Sequence, residues 1–262
     1  MKDLFIFLHV PKTAGSSFFK SVTEKLEPHQ FIRLYGIKKT SAMISEELGR
    51  LTQEARNQVE ILGGHQVWYG VHKFFPNRTP RYIAFLRDPV ARVISCYWKF
   101  RRKVGHPLCE LLNDPSITLT DYLRGHVNGG SRLHAGVTNH MTAFLGRDHL
   151  DGNHNFYQCV DYDEQLLERA INNLRNFWYV GLKQSFQNDL IAIGNAMGLD
   201  FTEHQVNRPE SRSQRSLTSL SDLELCSQNN RMDSILYHQA VLLHEQQYQS
   251  QQTVRSPSNM VA

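Results

Sequence analysis

Short apolar stretches recur along the chain, separated by segments with helical spacing. Leu4-Phe5-Ile6-Phe7-Leu8, Phe31-Ile32-Arg33-Leu34-Tyr35, Ile61-Leu62, Tyr82-Ile83-Ala84-Phe85-Leu86 and the run from Phe177 to Leu182 read as strands. Continuous apolar runs of this length suit strands buried on both faces, as in a parallel sheet covered by helices. The intervening pattern predicts helices from Ser16 or Ser17 to near Leu26, over Ser41–Leu51 and over Pro89–Lys103. Further helices are predicted near Asp163–Asn173, over Phe186–Met197 and over Arg231–Tyr248. Such alternation predicts a doubly wound α/β fold, with a central parallel sheet flanked by helices. We read residues 1–248 as a single domain and 249–262 as a polar, disordered C-terminal tail. No internal repeat is evident. Ligands of such folds bind outside the carboxyl ends of the strands, so the turns after the strands deserve a close reading.

The first of these turns is His9-Val10-Pro11-Lys12-Thr13-Ala14-Gly15-Ser16-Ser17. It combines one lysine, three hydroxyl side chains and a glycine where a helix begins. Backbone N–H groups, hydroxyls and the positive end of a helix dipole all favour an anion at such a place. A Walker A loop needs its lysine directly after its second glycine, whereas Lys12 precedes Gly15. An ordinary ATP or GTP site is therefore the weaker reading. A well-capped strand-to-helix turn with no ligand remains open.

The second turn follows Leu86 and reads Arg87-Asp88-Pro89-Val90-Ala91-Arg92-Val93-Ile94-Ser95. Asp88 suits a helix N-cap and Pro89 the first helical position. Arg87 then ends a strand, and Ser95 lies about two turns into the next helix. A guanidinium and a hydroxyl so placed can hold one phosphate, the arginine through its fork of donors. Taken singly, Arg87 pairing with a nearby acid and Ser95 packing as a small residue are the better readings.

Together and in this order, Pro11–Ser17 and Arg87–Ser95 resemble the sulfotransferases that use 3′-phosphoadenosine 5′-phosphosulfate (PAPS). The resemblance is to the carbohydrate branch typified by heparan sulfate 2-O-sulfotransferase and its bacterial relatives. It extends to Gly63-Gly64-His65, to Asn139-His140-Met141-Thr142-Ala143-Phe144-Leu145-Gly146, and to the stretches Ala170–Leu174 and Phe177–Leu182. It implies a P-loop-like nucleotide-binding sulfotransferase fold. It also implies that Lys12, Thr13, Ala14, Gly15, Ser16 and Ser17 bind the 5′-phosphosulfate, and that Arg87 and Ser95 bind the 3′-phosphate. On this reading Lys12 stabilises the leaving phosphate, and 3′-phosphoadenosine 5′-phosphate (PAP) is the product. His65 is the implied general base for an acceptor hydroxyl, with a glycan as the implied acceptor. Some relatives carry a second histidine two residues before the base, where this chain has Gly63. His72, His134 and His140 are secondary candidates. Asn139 and Thr142 would contact ligand or cap a helix. No metal is required, because lysine and arginine neutralise the developing charge.

Composition narrows the classes further. With 262 residues, 40% hydrophobic and 21% charged, the chain suits one globular core. A net charge of +4 is too small to argue for nucleic acid without a concentrated patch. Arg101-Arg102-Lys103 is a basic run that would steer an anionic polysaccharide or simply end a helix in solvent. Nothing near Met1 reads as a signal peptide, and no apolar stretch reaches the ~20 residues of a membrane span, so a cytoplasmic enzyme is expected. Cys96, Cys109, Cys159 and Cys226 lack metal-ligand spacing, and reduced thiols are the default. Glu203–Ser221, with Arg208, Arg212 and Arg215, reads as a loop that either closes over the nucleotide or merely connects. Two other functions stay in view: an atypical P-loop-like phosphotransferase or NTPase, and a non-catalytic nucleotide-binding module.

Overall fold

A computed structural model of the chain describes residues 1–35, 40–105, 107–124, 126–127, 131–132, 137–147, 164–201 and 219–255. The elements are β1 (Lys2–Leu8), α1 (Gly15–Thr23), β2 (Phe31–Arg33), α2 (Ser41–Gly49), α3 (Gln53–Gln58), β3 (Ile61–Gly64), β4 (Arg78–Leu86) and α4 (Pro89–Arg102). There follow α5 (Pro107–Asn113), α6 (Leu119–Arg124), a small hairpin of β5 (His126–Val127) and β6 (Ser131–Arg132), and α7 (His140–Gly146). The remainder comprises α8 (Glu164–Arg175), β7 (Tyr179–Leu182), α9 (Phe186–Met197), α10 (Leu220–Asn229) and α11 (Arg231–Arg255).

Among the described residues, one sheet of order β2-β3-β1-β4-β7 has every neighbouring pair parallel. This is the expected single α/β domain with a central parallel sheet flanked by helices. Side chains of a strand alternate between its faces, and here both faces are covered. Leu4, Ile6 and Leu8 pack with Met141, Phe144, Leu174 and Leu236 of α7, α8 and α11. Phe5 and Phe7 pack on the other side with Phe18 and Phe19 of α1 and Leu190 of α9. Phe7 is wholly buried, so Phe7→Ala should cost about 3–5 kcal/mol. A further cluster joins α4, α5, α6 and α10 through Val93, Leu112, Tyr122 and Cys226.

Several boundaries differ from the sequence reading. α1 stops at Thr23, short of Leu26, where the Thr23 hydroxyl donates to the Phe19 carbonyl at 2.8 Å and to Lys20 at 3.3 Å. A hydroxyl bonding back to its own helix competes with the next turn. β2 ends at Arg33, although the Leu34 N–H still donates to the Gly63 carbonyl at 2.9 Å. α11 runs past Tyr248 to Arg255. Helices α3, α5, α6, α7 and α10 were not evident from periodicity. Cys96, Cys109 and Cys226 are free thiols, while Cys159 lies outside the described residues.

One packing device settles how the later helices are held. The buried Asp233 carboxylate on α11 accepts from the N–H groups of Met141 and Thr142 at 3.0 and 2.7 Å, and from the Thr142 hydroxyl at 2.8 Å. The Asn139 side chain returns the favour, accepting from the N–H groups of Met232 and Asp233 at 3.0 and 3.2 Å. Each helix thus caps the start of the other. The buried Arg92 approaches the same carboxylate, its Nε 3.9 Å from Asp233 Oδ2. Arg92 therefore belongs to the scaffold, despite sitting in the Arg87–Ser95 motif.

Candidate active site

Strand order positions the site. The chain leaves β1 toward β2 on one edge of the sheet, and leaves β4 toward β7 on the other. Adjacent strands whose connections diverge open a crevice at their carboxyl ends. That crevice lies between the turn after Leu8 and the turn after Leu86.

The first turn is tightly curled. Lys12 has φ 72° and Ala14 φ 83°, both in the left-handed region that side chains usually avoid. Such curling gathers successive backbone N–H groups into an anion-binding concavity. Gly15 opens α1 because a Cβ there would lie 2.6 Å from His9 Nε2 and 2.7 Å from Phe7 Cζ. Ala14 occupies the N-cap and offers no side-chain bond to the first turn of α1. The first N–H groups of a helix have no partner within it and are open to an external acceptor. Ser16 is exposed and Ser17 half-buried, so both hydroxyls remain near the helix start. Thr13 is different. It is fully buried and its hydroxyl donates to the Val10 carbonyl at 2.8 Å, so its side chain holds the turn.

Arg87 is the first residue beyond β4 and is 8% exposed. Its Nη1 donates to the Lys12 carbonyl across a long 3.4 Å contact. The two motifs, far apart in the chain, thus meet in one cleft. Asp88 caps α4 by accepting from the Ala91 N–H at 2.8 Å, with Pro89 at the first position, as expected. Ser95 sits half-buried on α4, and Lys99 and Arg102 follow it at helical spacing on the same face. The Lys12 ammonium is held below its ordinary pKa by burial first, then by Lys99, with Arg87 and Arg102 adding to this and Cys96 opposing it. A cluster of cations this close is relieved by a multiply charged anion.

His65 arrives on the other side of β1. β1 and β3 pair in parallel with Leu8 opposite Gly64, so the next residues, His9 and His65, emerge side by side. His65 Nδ1 lies 2.8 Å from the His9 carbonyl. A carbonyl only accepts, so Nδ1 carries the hydrogen and Nε2 keeps the lone pair in the neutral ring. The His65 pKa is lowered to about 4, chiefly by burial and further by Lys99 and Arg147, with the bond to His9 opposing them. At neutral pH the ring is an unprotonated acceptor. Arg147 fixes its backbone, donating to the carbonyls of His65 and Val67 at 2.7 Å each while lying 4.1 Å from the Phe144 ring centroid.

The other histidine candidates divide clearly. His72 bonds Tyr82 at 2.8 Å, and Tyr82 is opposite Ile6, well back from the carboxyl ends. His140 is buried behind Phe144, 4.7 Å between ring centroids. His134 and most of the 203–221 loop lie outside the described residues. Asn139 caps the start of α11, and Thr142 donates through its N–H and hydroxyl to the Asp233 carboxylate. Gly63 has no room for a side chain, since a Cβ would meet Phe19 Cε2 at 2.6 Å. The second imidazole beside His65 comes from His9 instead. Sequence reasoning missed His9, Tyr35, Lys99 and Arg147. The strand register would have revealed His9, and the spacing from Ser95 would have revealed Lys99.

No protein-family model matches this chain, and no curated protein matches it in sequence. Among solved structures, mouse sulfotransferase SULT7A1 complexed with PAP is similar to it. That match has 18% identity and a TM-score of 0.36, spanning 85% of this chain and 66% of that one, just under two thirds. So loose a likeness leaves function to the chain's own residues. Among those described, no cluster of three or more His, Cys, Asp or Glu is arranged to hold a metal ion. No described helix is long and apolar enough to cross a membrane.

Proposed function

We propose that the chain transfers a sulfonate group from PAPS to an acceptor hydroxyl, with a glycan as the acceptor class and the cytoplasm as its setting. The observation that carries this reading is the meeting of Arg87 and Lys12 in one crevice, beside an unprotonated His65. PAPS bears anionic groups at both ends of one nucleoside, and the donor set fits such a ligand. Lys12, the N–H groups at the start of α1 and the Ser16 and Ser17 hydroxyls suit the 5′-phosphosulfate. Arg87 and Ser95 suit the 3′-phosphate. The acceptor class rests on the sequence resemblance.

PAPS supplies an activated sulfur whose leaving group is a phosphate. As the acceptor oxygen bonds to sulfur and the bridging S–O bond breaks, an electron pair departs onto that phosphate. Lys12 and the helix N–H groups are fixed donors for that charge, and such preorganised donors are often the largest catalytic contribution. The acceptor proton passes to His65 Nε2, the ring nitrogen left without hydrogen. Burial chiefly, and neighbouring cations secondarily, disfavour a resident imidazolium, which keeps the base free before each turnover.

Thermal melting with PAP, AMP and ADP tests the nucleotide part, because a ligand that binds the native state raises its melting temperature. PAP should raise it most, and equal shifts would remove the case for a 3′-phosphate pocket. Incubation with radiolabelled PAPS and a glycan panel tests the transfer. Label recovered on none of the glycans, but present on a phenol or lipid, would overturn the acceptor class. Hydrolysis of ATP in the same cleft would favour a phosphotransferase.

A further inference from the structure

His9 has no part in the chemistry above, yet it touches both halves of the cleft. It is 2% exposed. Its ring lies over that of His65 with centroids 4.1 Å apart and planes 34° apart. Its Nδ1 meets the Tyr35 hydroxyl at 2.7 Å. On its opposite side the ring stacks on Phe7 at 5.3 Å, and its Nε2 edge fills the space where Gly15 has no Cβ. Tyr35 is also edge-on to His65, with centroids 5.0 Å apart. Burial raises the Tyr35 pKa, so the hydroxyl stays protonated and acts as a fixed pin for the ring.

Any residue at position 9 would supply the backbone carbonyl that orients His65. The imidazole adds something else. It covers one face of the base with an aromatic ring that is clamped by Tyr35 on one edge and by the start of α1 on the other. Water is thereby kept from that face of His65, and the ring cannot swing away from the anion-binding turn. We propose that His9 is a positioning residue for His65, locking its ring with Nε2 presented to the acceptor and tying the base to the Lys12 turn.

The inference rests on the transfer reaction proposed above, so its test needs a readout independent of turnover. Groups that face His65 are His9 from the end of β1, Tyr35 after β2, Lys99 on α4, Arg147 after α7 and, more distantly, His140 on α7. Lys12 acts on His9. Protein labelled with [15N]histidine reports the tautomer and titration of His65 by NMR. The wild type should show the Nδ1–H tautomer and titrate at about 4. In His9→Ala the ring face opens to water, and the midpoint should rise by about one unit toward the ordinary histidine value. The acid limb of kcat should move up by the same amount. In that variant kcat should fall ~10–100-fold, as for other misplaced catalytic groups, with KM for PAPS within about threefold of wild type. Tyr35→Phe, which deletes only the pin, should move midpoint and kcat the same way by less. An Nε2–H tautomer in the wild type would overturn the proposal. So would an unchanged midpoint in folded His9→Ala or, if that variant does not fold, in Tyr35→Phe. If the wild type transferred no sulfonate, the functional reading would fail while the tautomer and midpoint still judged His9.

Discussion

The two halves of the cleft manage charge in opposite ways. On the Lys12 side, Arg87, Lys99 and Arg102 crowd one ammonium group, and no carboxylate is among the influences on it. On the His65 side, two imidazoles in contact are buried deeply enough to stay neutral. Lys99 acts on both halves, depressing Lys12, His9 and His65 alike. The difference is the one the proposed reaction calls for, with positive charge gathered on one side and an unprotonated imidazole on the other. Burial is the main reason that His65 stays unprotonated, and the positive potential from Lys99 and Arg147 adds to it.

The strongest way to break this picture is Lys12→Met. If Lys12 stabilises the leaving phosphate, kcat should fall by ~10³, near the upper range for loss of one preorganised donor. PAP should also raise the melting temperature less. Full turnover in this variant would end the assignment. His65→Gln should lower kcat by ~10²-fold or more, the range for loss of a general base. Here the melting shift caused by PAP should survive, since His65 lies on the other half. A loss of PAP binding instead would show that the halves are not separate.

Arg87→Ala sharpens the comparison within the cationic side. Loss of a charge-assisted contact of ~1.5–3 kcal/mol should raise KM for PAPS by about 10–100-fold while leaving saturated kcat nearly unchanged. The variant should also lose the preference for PAP over AMP in melting. Equal loss of affinity for both nucleotides would place Arg87 elsewhere on the ligand.

The smallest effect is a pH dependence. His9, His65 and His140 all have pKa values lowered on folding, mainly by burial. Below ~6.5 the unfolded chain takes up protons that the folded chain does not, so stability is full above that pH and declines as pH falls. Melting temperature should therefore drop steadily from pH 6.5 toward 5. Bound PAP offsets the nearby cations, so it should raise the titration midpoint of His65. No movement on PAP addition would mean that Lys99 does not link the halves.

Much of this was legible in the residues. Apolar runs at 4–8 and 82–86 placed the two central strands, and the chemistry of Lys12, Gly15, Arg87 and Asp88 marked the turns that follow them. Phe186–Met197 was read at its observed bounds, because its amphipathic spacing is uninterrupted. The short helices α5, α6 and α7 were not, since their few residues carry too little periodicity and tertiary packing holds them. His65 was selected by resemblance, whereas His9 was read only as the first residue of the Lys12 turn and given no role.

By itself, then, the sequence determined the local pieces: buried strands, a glycine at a crowded helix start, an aspartate cap and the cations beside them. These depend on contacts between near neighbours, and residue type decides such contacts. Tertiary structure alone decided which pieces share a cleft. Parallel pairing of β1 with β3 put His9 against His65, and divergence of the chain at β1 and β4 brought Arg87 to Lys12. Asn139, Thr142 and Arg92 were likewise assigned to the scaffold only by meeting α11. The physical reason is that strand register is set by burial of whole faces, a collective quantity that no short motif records.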